Sequence, residues 1–148
     1  MSLFNAISIS ASGMSAQRTR AELITENLAN ADTTRTPEGG PYRRKDAIFS
    51  SSPLESAFGS FAQALSSFNL GPNPGVSVTE VTVDQTDPEK RYLPGHPDAD
   101  ADGYVAFPHI NPAEEMVDLV GASRGFQANV AAIGAVKDMI ARSIDLLR

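Results

Sequence analysis

The sequence predicts a mainly helical α+β protein, with two long terminal helices that pair with each other and a small β-containing region between them. Both ends carry residues at steps of three and four, a rhythm that keeps one helix face turned toward a partner. Sustained at 3.5 residues, that rhythm favours a supercoiled pair. Between the ends, the chain changes to short β-branched runs separated by Pro, Gly, Asn and Asp. At 148 residues the chain is one domain by length. The expected organisation is a helical region over 1–31, a middle region over 32–110 with a short helix at 53–70, and a helical region over 111–148.

The first stripe reads Leu3, Ile7, Ser10, Met14, Gln17, Ala21, Ile24, Leu28, Ala31, with Ser2 able to cap the helix. Gly13 costs about 1 kcal/mol in a lone helix. It makes sense where another helix backbone lies close against that face. The helix should stop near Asn30, because Asp32-Thr33-Thr34 and Thr36-Pro37-Glu38-Gly39-Gly40-Pro41 are turn chemistry. Tyr42 to Phe49 reads as a short strand. Its basic run, Arg43-Arg44-Lys45, reads as a solvated strand edge that discourages unwanted pairing.

Ser50-Ser51-Ser52-Pro53 breaks the strand, and a third helical stripe follows at Leu54, Phe58, Phe61, Leu65 and Phe68. Ser52 and Glu55 have the form of a capping box, and Gly71-Pro72 closes the segment. Val76 to Val83 reads as a strand. Arg91–Leu93 and Tyr104–Phe107 read as two more, joined by a loop of Pro, Gly and Asp. Asn111-Pro112 with Glu114 opens the last helix with an N-cap, a first-turn proline and acids at the positive dipole end. Its stripe reads Met116, Leu119, Ser123, Phe126, Val130, Ile133, Lys137, Ile140, Ile144, Leu147. Ser123 and Lys137 either set register within the seam or face solvent as the seam drifts around the helix.

Twelve Lys and Arg against 18 Asp and Glu leave a formal charge of −6, which argues against nucleic acid as a partner. The absence of cysteine excludes disulfides, thiol catalysis and Cys-ligated metals. No basic n-region and no long apolar run are present, so export would not use the ordinary secretory route. Asp98-Ala99-Asp100-Ala101-Asp102-Gly103 copies the first half of a calcium loop. Its twelfth position is His109 instead of a bidentate Glu, and Pro94, Pro97 and Pro108 forbid flanking helices. A β-turn with Gly103 at positive φ is the expected structure. His96 and His109 are the only imidazoles, and no nucleophile elbow or phosphate loop accompanies them. No catalytic residue, metal ligand, cofactor or small-molecule substrate is assigned.

Ser12-Gly13-Met14-Ser15-Ala16-Gln17, followed by Glu26-Asn27-Leu28-Ala29-Asn30-Ala31-Asp32-Thr33, resembles the N-terminal signature of the flagellar rod, hook and hook-associated protein family. Gly40-Pro41-Tyr42-Arg43 and Pro94-Gly95-His96-Pro97-Asp98-Ala99-Asp100 with Gly103-Tyr104-Val105 narrow the resemblance to proximal-rod members. So do Asn111 to Leu119 and Ala122-Ser123-Arg124-Gly125-Phe126-Gln127-Ala128-Asn129-Val130.

The resemblance implies a structural, non-enzymatic subunit whose terminal helices form an antiparallel coiled coil in a helical, torque-transmitting rod. It implies as partners copies of the chain itself, other flagellar rod proteins, the flagellar export apparatus and the basal-body ring at the rod base. It places the chain in the periplasmic rod of the basal body after flagellar type III export. The assembly interface is then expected at Ile7, Met14, Ile24, Asn27, Leu28 and Asn30, and at Leu119, Arg124, Phe126, Gln127, Val130, Ile133 and Ile140. Terminal segments unable to cover both faces alone should order on assembly. Two alternatives stand beside this reading: another rod or hook paralogue, and a calcium-dependent binding module.

Overall fold

The computed structural model describes residues 3–52 and 75–146. The elements follow in the order α1 (Leu3–Ala29), β1 (Lys45–Ser52), β2 (Gly75–Val83), β3 (Glu89–Tyr92), β4 (Tyr104–Phe107) and α2 (Pro112–Asp145). Two long helices and two small antiparallel strand pairs make this a mainly helical α+β protein, as the periodicities predict. The helix expected over 53–70 lies outside the described residues.

Each long helix contributes one portion to each of two structural units. The first unit comprises Met1–Thr19, Phe49–Thr79 and Ser123–Arg148. Here Gly13 of α1 faces Asn129 of α2, and Gln17 faces Gly125. One turn forward on α1 is one turn backward on α2, so the helices run antiparallel. Ser10 and Ala16 of α1 and Val136 of α2 are buried in this unit. The Ser12 hydroxyl donates to the Ile9 carbonyl at 2.7 Å and accepts the Val76 N–H at 3.1 Å, which ties the start of β2 to α1.

The second unit comprises Arg20–Ile48 and Glu80–Ala122. Its core holds Ile24, Tyr42, Val105, Phe107 and Ala122. Strands β3 and β4 pair antiparallel, with Arg91 opposite Val105 and Tyr92 opposite Tyr104. Val105 and Phe107 are buried while Tyr104 is exposed, the period-two alternation of a strand with one face inward. On the other pair, the Asp84 N–H donates to the Arg44 carbonyl at 2.8 Å and the Thr82 hydroxyl to the Asp46 carbonyl, so β1 and β2 are also antiparallel.

The acidic loop before β4 is a turn. Gly103 has φ +81°, and its N–H donates to the Asp100 carbonyl at 3.0 Å. Asp100 Oδ1 accepts the N–H groups of Asp102 and Tyr104, and Asp98 Oδ2 accepts the Thr34 hydroxyl at 2.8 Å. These carboxylates therefore hold the loop's own backbone and the segment after α1. The Asp98 N–H donates to His96 Nδ1 at 3.1 Å, giving that imidazole a loop-stabilising partner.

Two expectations are corrected. The first strand spans Lys45–Ser52 and not Tyr42–Phe49: Tyr42 turns inward and is buried before the strand begins, and the serines expected to break the strand continue it. The seam on α2 also lies one residue earlier than the predicted stripe. Ala122, Asn129 and Val136 turn inward, whereas Ser123, Val130 and Lys137 are exposed. Both stripes satisfy the three-four rhythm, and close helix approach selects the one with smaller residues.

Gly103→Val should destabilise the chain by about 1–3 kcal/mol, since positive φ strains a β-branched residue. A Cβ there would also lie 3.0 Å from Tyr92 Cε2 and 3.2 Å from Pro94 Cβ. Thermal unfolding followed by circular dichroism checks this, with Asp100→Asn, which keeps an oxygen acceptor, changing little by comparison.

Candidate functional site

Within the second unit, the most constrained group is the Asn27 amide, which is fully buried near the end of α1. A buried amide is tolerable only when its donors and acceptor are satisfied. Asn27 Nδ2 donates to the Lys45 carbonyl at 2.8 Å and to Glu115 Oε2 at 3.2 Å. Its Oδ1 accepts the Tyr42 hydroxyl at 3.0 Å and the Lys45 N–H at 2.9 Å. One side chain thus joins α1, the segment entering β1, and the first turn of α2.

Glu115 is 2% exposed and is neutralised by Arg44, whose Nε donates to Oε1 at 2.5 Å. Arg44 also reaches Asp46 at 3.3 Å and Asp118 at 3.8 Å, while Arg20 of α1 meets Asp118 of α2 at 3.5 Å. Lys45 Nζ pairs with Glu26 and lies 5.7 Å from the Tyr42 ring centroid. Arg44 and Lys45, read as part of a solvated edge, are instead the counter-charges of these carboxylates, which corrects that expectation; Arg43 is exposed and donates to the Asp84 carbonyl. The contacts with Glu115 and Asp46 hold the Arg44 guanidinium in its charged form. Burial, with Glu26 close by, pushes the Tyr42 hydroxyl up from 10.0 to about 12, so it stays a donor.

The helix ends fit this cluster. The Asn30 N–H donates to the Glu26 carbonyl at 3.1 Å, and the Asn30 side chain accepts the Thr33 hydroxyl at 3.2 Å as the chain leaves α1. Asn111 Oδ1 accepts the Ala113 N–H at 3.1 Å, capping α2 as its sequence predicts. Beside the cluster lies an open groove of 710 Å³ whose lining includes Arg44, Asp84, Glu89, Arg91, His109 and Glu115. Four of its carboxylates are engaged: Glu89 with Arg91, Glu115 with Arg44, Asp118 with Arg20 and Arg44, and Asp84 with the Thr86 hydroxyl and N–H. Among the described residues, no group of three His, Asp or Glu could hold a metal ion, and no helix is long and apolar enough to cross a membrane.

The residues expected at an assembly interface fall into two sets. Ile24 and Asn27 are buried, and Ile7, Met14, Leu28, Asn30, Leu119, Ile133 and Ile140 are half-buried. Arg124, Phe126, Gln127 and Val130 are exposed, Phe126 by 39% and Val130 by 48%. The structure therefore leaves four of the α2 residues exposed beside their own helix pair. Sequence reasoning missed the roles of Tyr42, Arg44 and Glu115. The usable signal was an Arg-Lys pair able to meet the acids at Glu26 and at the start of α2.

Two family models match the chain: "Flagella basal body rod protein" over residues 7–35 and "Flagellar basal body rod FlgEFG protein C-terminal" over residues 101–146. The chain is similar to the flagellar basal-body rod protein FlgC of Bacillus subtilis, at 40% identity over 99% of both chains. It is 37% identical to that of Borreliella burgdorferi over 100% of this chain and 99% of the relative. The relative of the same name from Salmonella typhimurium is 37% identical over 99% of this chain and 98% of its own length.

Asn27→Asp keeps the shape but replaces a donor with an oxygen facing Glu115 and the Lys45 carbonyl. It should cost about 3 kcal/mol or more at pH 7. Lowering the pH to about 5 should recover part of this, because a carboxyl with a raised folded-state pKa regains its favoured protonated form. Denaturant unfolding at both pH values measures it. For the wild type, the raised Tyr42 pKa gives stability that is intact below pH 10 and lost as pH rises through about 12. Tyr42→Phe should lack that alkaline loss, which unfolding curves across the same window would reveal.

Proposed function

We propose that this chain, which belongs to the FlgC family of flagellar basal-body rod proteins, builds the periplasmic, proximal part of the rod. It is a structural subunit of the flagellar rod, located in the basal body, and it associates with other rod and basal-body components. In our reading the work is mechanical and not catalytic. Copies of the chain and neighbouring rod proteins pack their terminal helices into a helical tube, and torque passes through those contacts. The export apparatus and the ring at the rod base are its further partners, reached through the flagellar type III route.

The observation that carries this reading is the apolar surface that α2 leaves exposed. Val117, Val120, Phe126, Val130 and Met139 stay exposed on a helix whose inner side is already occupied. Each buried Å² of such surface contributes about 25 cal/mol, so apolar side chains spread around the helix can bind more than one neighbour without a pocket or a ligand. The interface residues divide accordingly. Ile7, Met14, Ile24, Asn27, Leu28, Asn30, Leu119, Ile133 and Ile140 shape the helix pair, while Arg124, Phe126, Gln127 and Val130 meet neighbouring subunits.

Val130→Asp tests the division. The purified variant should keep the wild-type unfolding midpoint, because the side chain is half exposed. In cells carrying it as the sole copy, swarming should be lost. Normal swarming would remove Val130 from the interface; a collapsed midpoint would put it inside the helix pair instead.

A further inference from the structure

Four residues of the first unit form a reciprocal arrangement that apolar packing does not require. A Cβ built on Gly13 would lie 3.0 Å from both Oδ1 and Nδ2 of Asn129. A Cβ on Gly125 would lie 3.1 Å from Cδ and 3.3 Å from Oε1 of Gln17. Each helix thus offers one glycine and inserts one amide, one turn apart. The other glycines of α2, Gly121 and Gly134, meet nothing within 4 Å. Asn129 is further oriented by its own helix, since Nδ2 donates to the Gly125 carbonyl at 2.9 Å.

We propose that Gly13, Gln17, Gly125 and Asn129 are the specificity-determining residues that set the register of the antiparallel helix pair. Apolar stripes at three-four spacing accept a one-turn slip, because apolar residues again meet apolar residues. The amides do not. A slip in one direction sets Gln17 against Asn129 and Ile133 against Gly13, with no room for either pair. A slip in the other sets Gly13 against Gly125, leaving a void where two side chains should be. Polar residues in a helix seam commonly specify register at some expense of stability. Register in turn decides which residues of α1 and α2 stand side by side on the pair's surface; only the use of that surface rests on the rod reading.

The test exchanges the partners in the full chain. Limited trypsin digestion reads local opening at Arg18 and Arg124, which sit on exposed positions of α1 and α2 beside the lock. Gly13→Asn and Asn129→Gly should each speed cleavage at both arginines about ten-fold, by overpacking and by a void respectively. The double exchange restores one amide facing one glycine and should return cleavage to within about three-fold of wild type. Gly13→Asn with Gly125→Gln, which opposes amides at both contacts, should be cleaved fastest. A double exchange no slower than the faster single variant, a silent Gly13→Asn, or rapid cleavage of the wild type would overturn the proposal. Swarming of the same strains separates the two readings. Rescued cleavage with swarming unaffected by any variant would leave the register lock standing and remove the rod role. Unrescued cleavage with swarming lost would do the opposite.

Discussion

The second unit depends on one buried amide. Asn27 has no exposure to water, so each of its hydrogen-bonding atoms must be answered from within the protein. The answers come from Tyr42, from both backbone groups of Lys45 and from Glu115. With those groups in place, Arg44 can neutralise Glu115 and Lys45 can reach Glu26. Removing one member strands the rest, because a half-satisfied polar network is worse than none. This is why α1, the entry to β1 and the first turn of α2 keep a single arrangement within this unit.

In the first unit the helix pair departs from the usual placement of side chains. Small and polar residues, Ser10, Gly13, Ala16, Gly125 and Asn129, share the inner side with Val136 and the half-buried Ile7, Met14, Ile133 and Ile140. Phe126, Val130, Met139 and Ile144 stay outside. A globular domain meant to live alone would gain stability by exchanging the two sets. The observed distribution makes sense if the pair is itself one layer of something larger, as the proposed packing of subunits requires.

Much of the fold was legible because periodicity reports element type directly. The helix limits, the β4 strand, the Asn111 cap and the Gly103 turn all follow from local rules about caps, alternation and positive φ. The phase of the α2 seam did not, since Met116–Ser123–Val130–Lys137 and Glu115–Ala122–Asn129–Val136 share one spacing. A hydrophobicity argument chooses the first set, while the backbone approach at Gly13 and Gly125 imposes the second. The Asn27 cluster was illegible for another reason. Its partners are local in space and remote in sequence, so no window along the chain contains both Asn27 and Glu115. Arg44 looked like a surface charge because nothing near it in sequence reveals a buried acid.

That separation also orders events in time. Asn27 and Glu115 are 88 residues apart, and the cluster cannot close until both have been made. Helix α1 emerges from the ribosome first, carrying an amide whose remote partner does not yet exist. Contacts of such long range form late and slowly compared with a single helical turn. The nascent chain therefore spends its early life without the contact that commits this unit to its final arrangement.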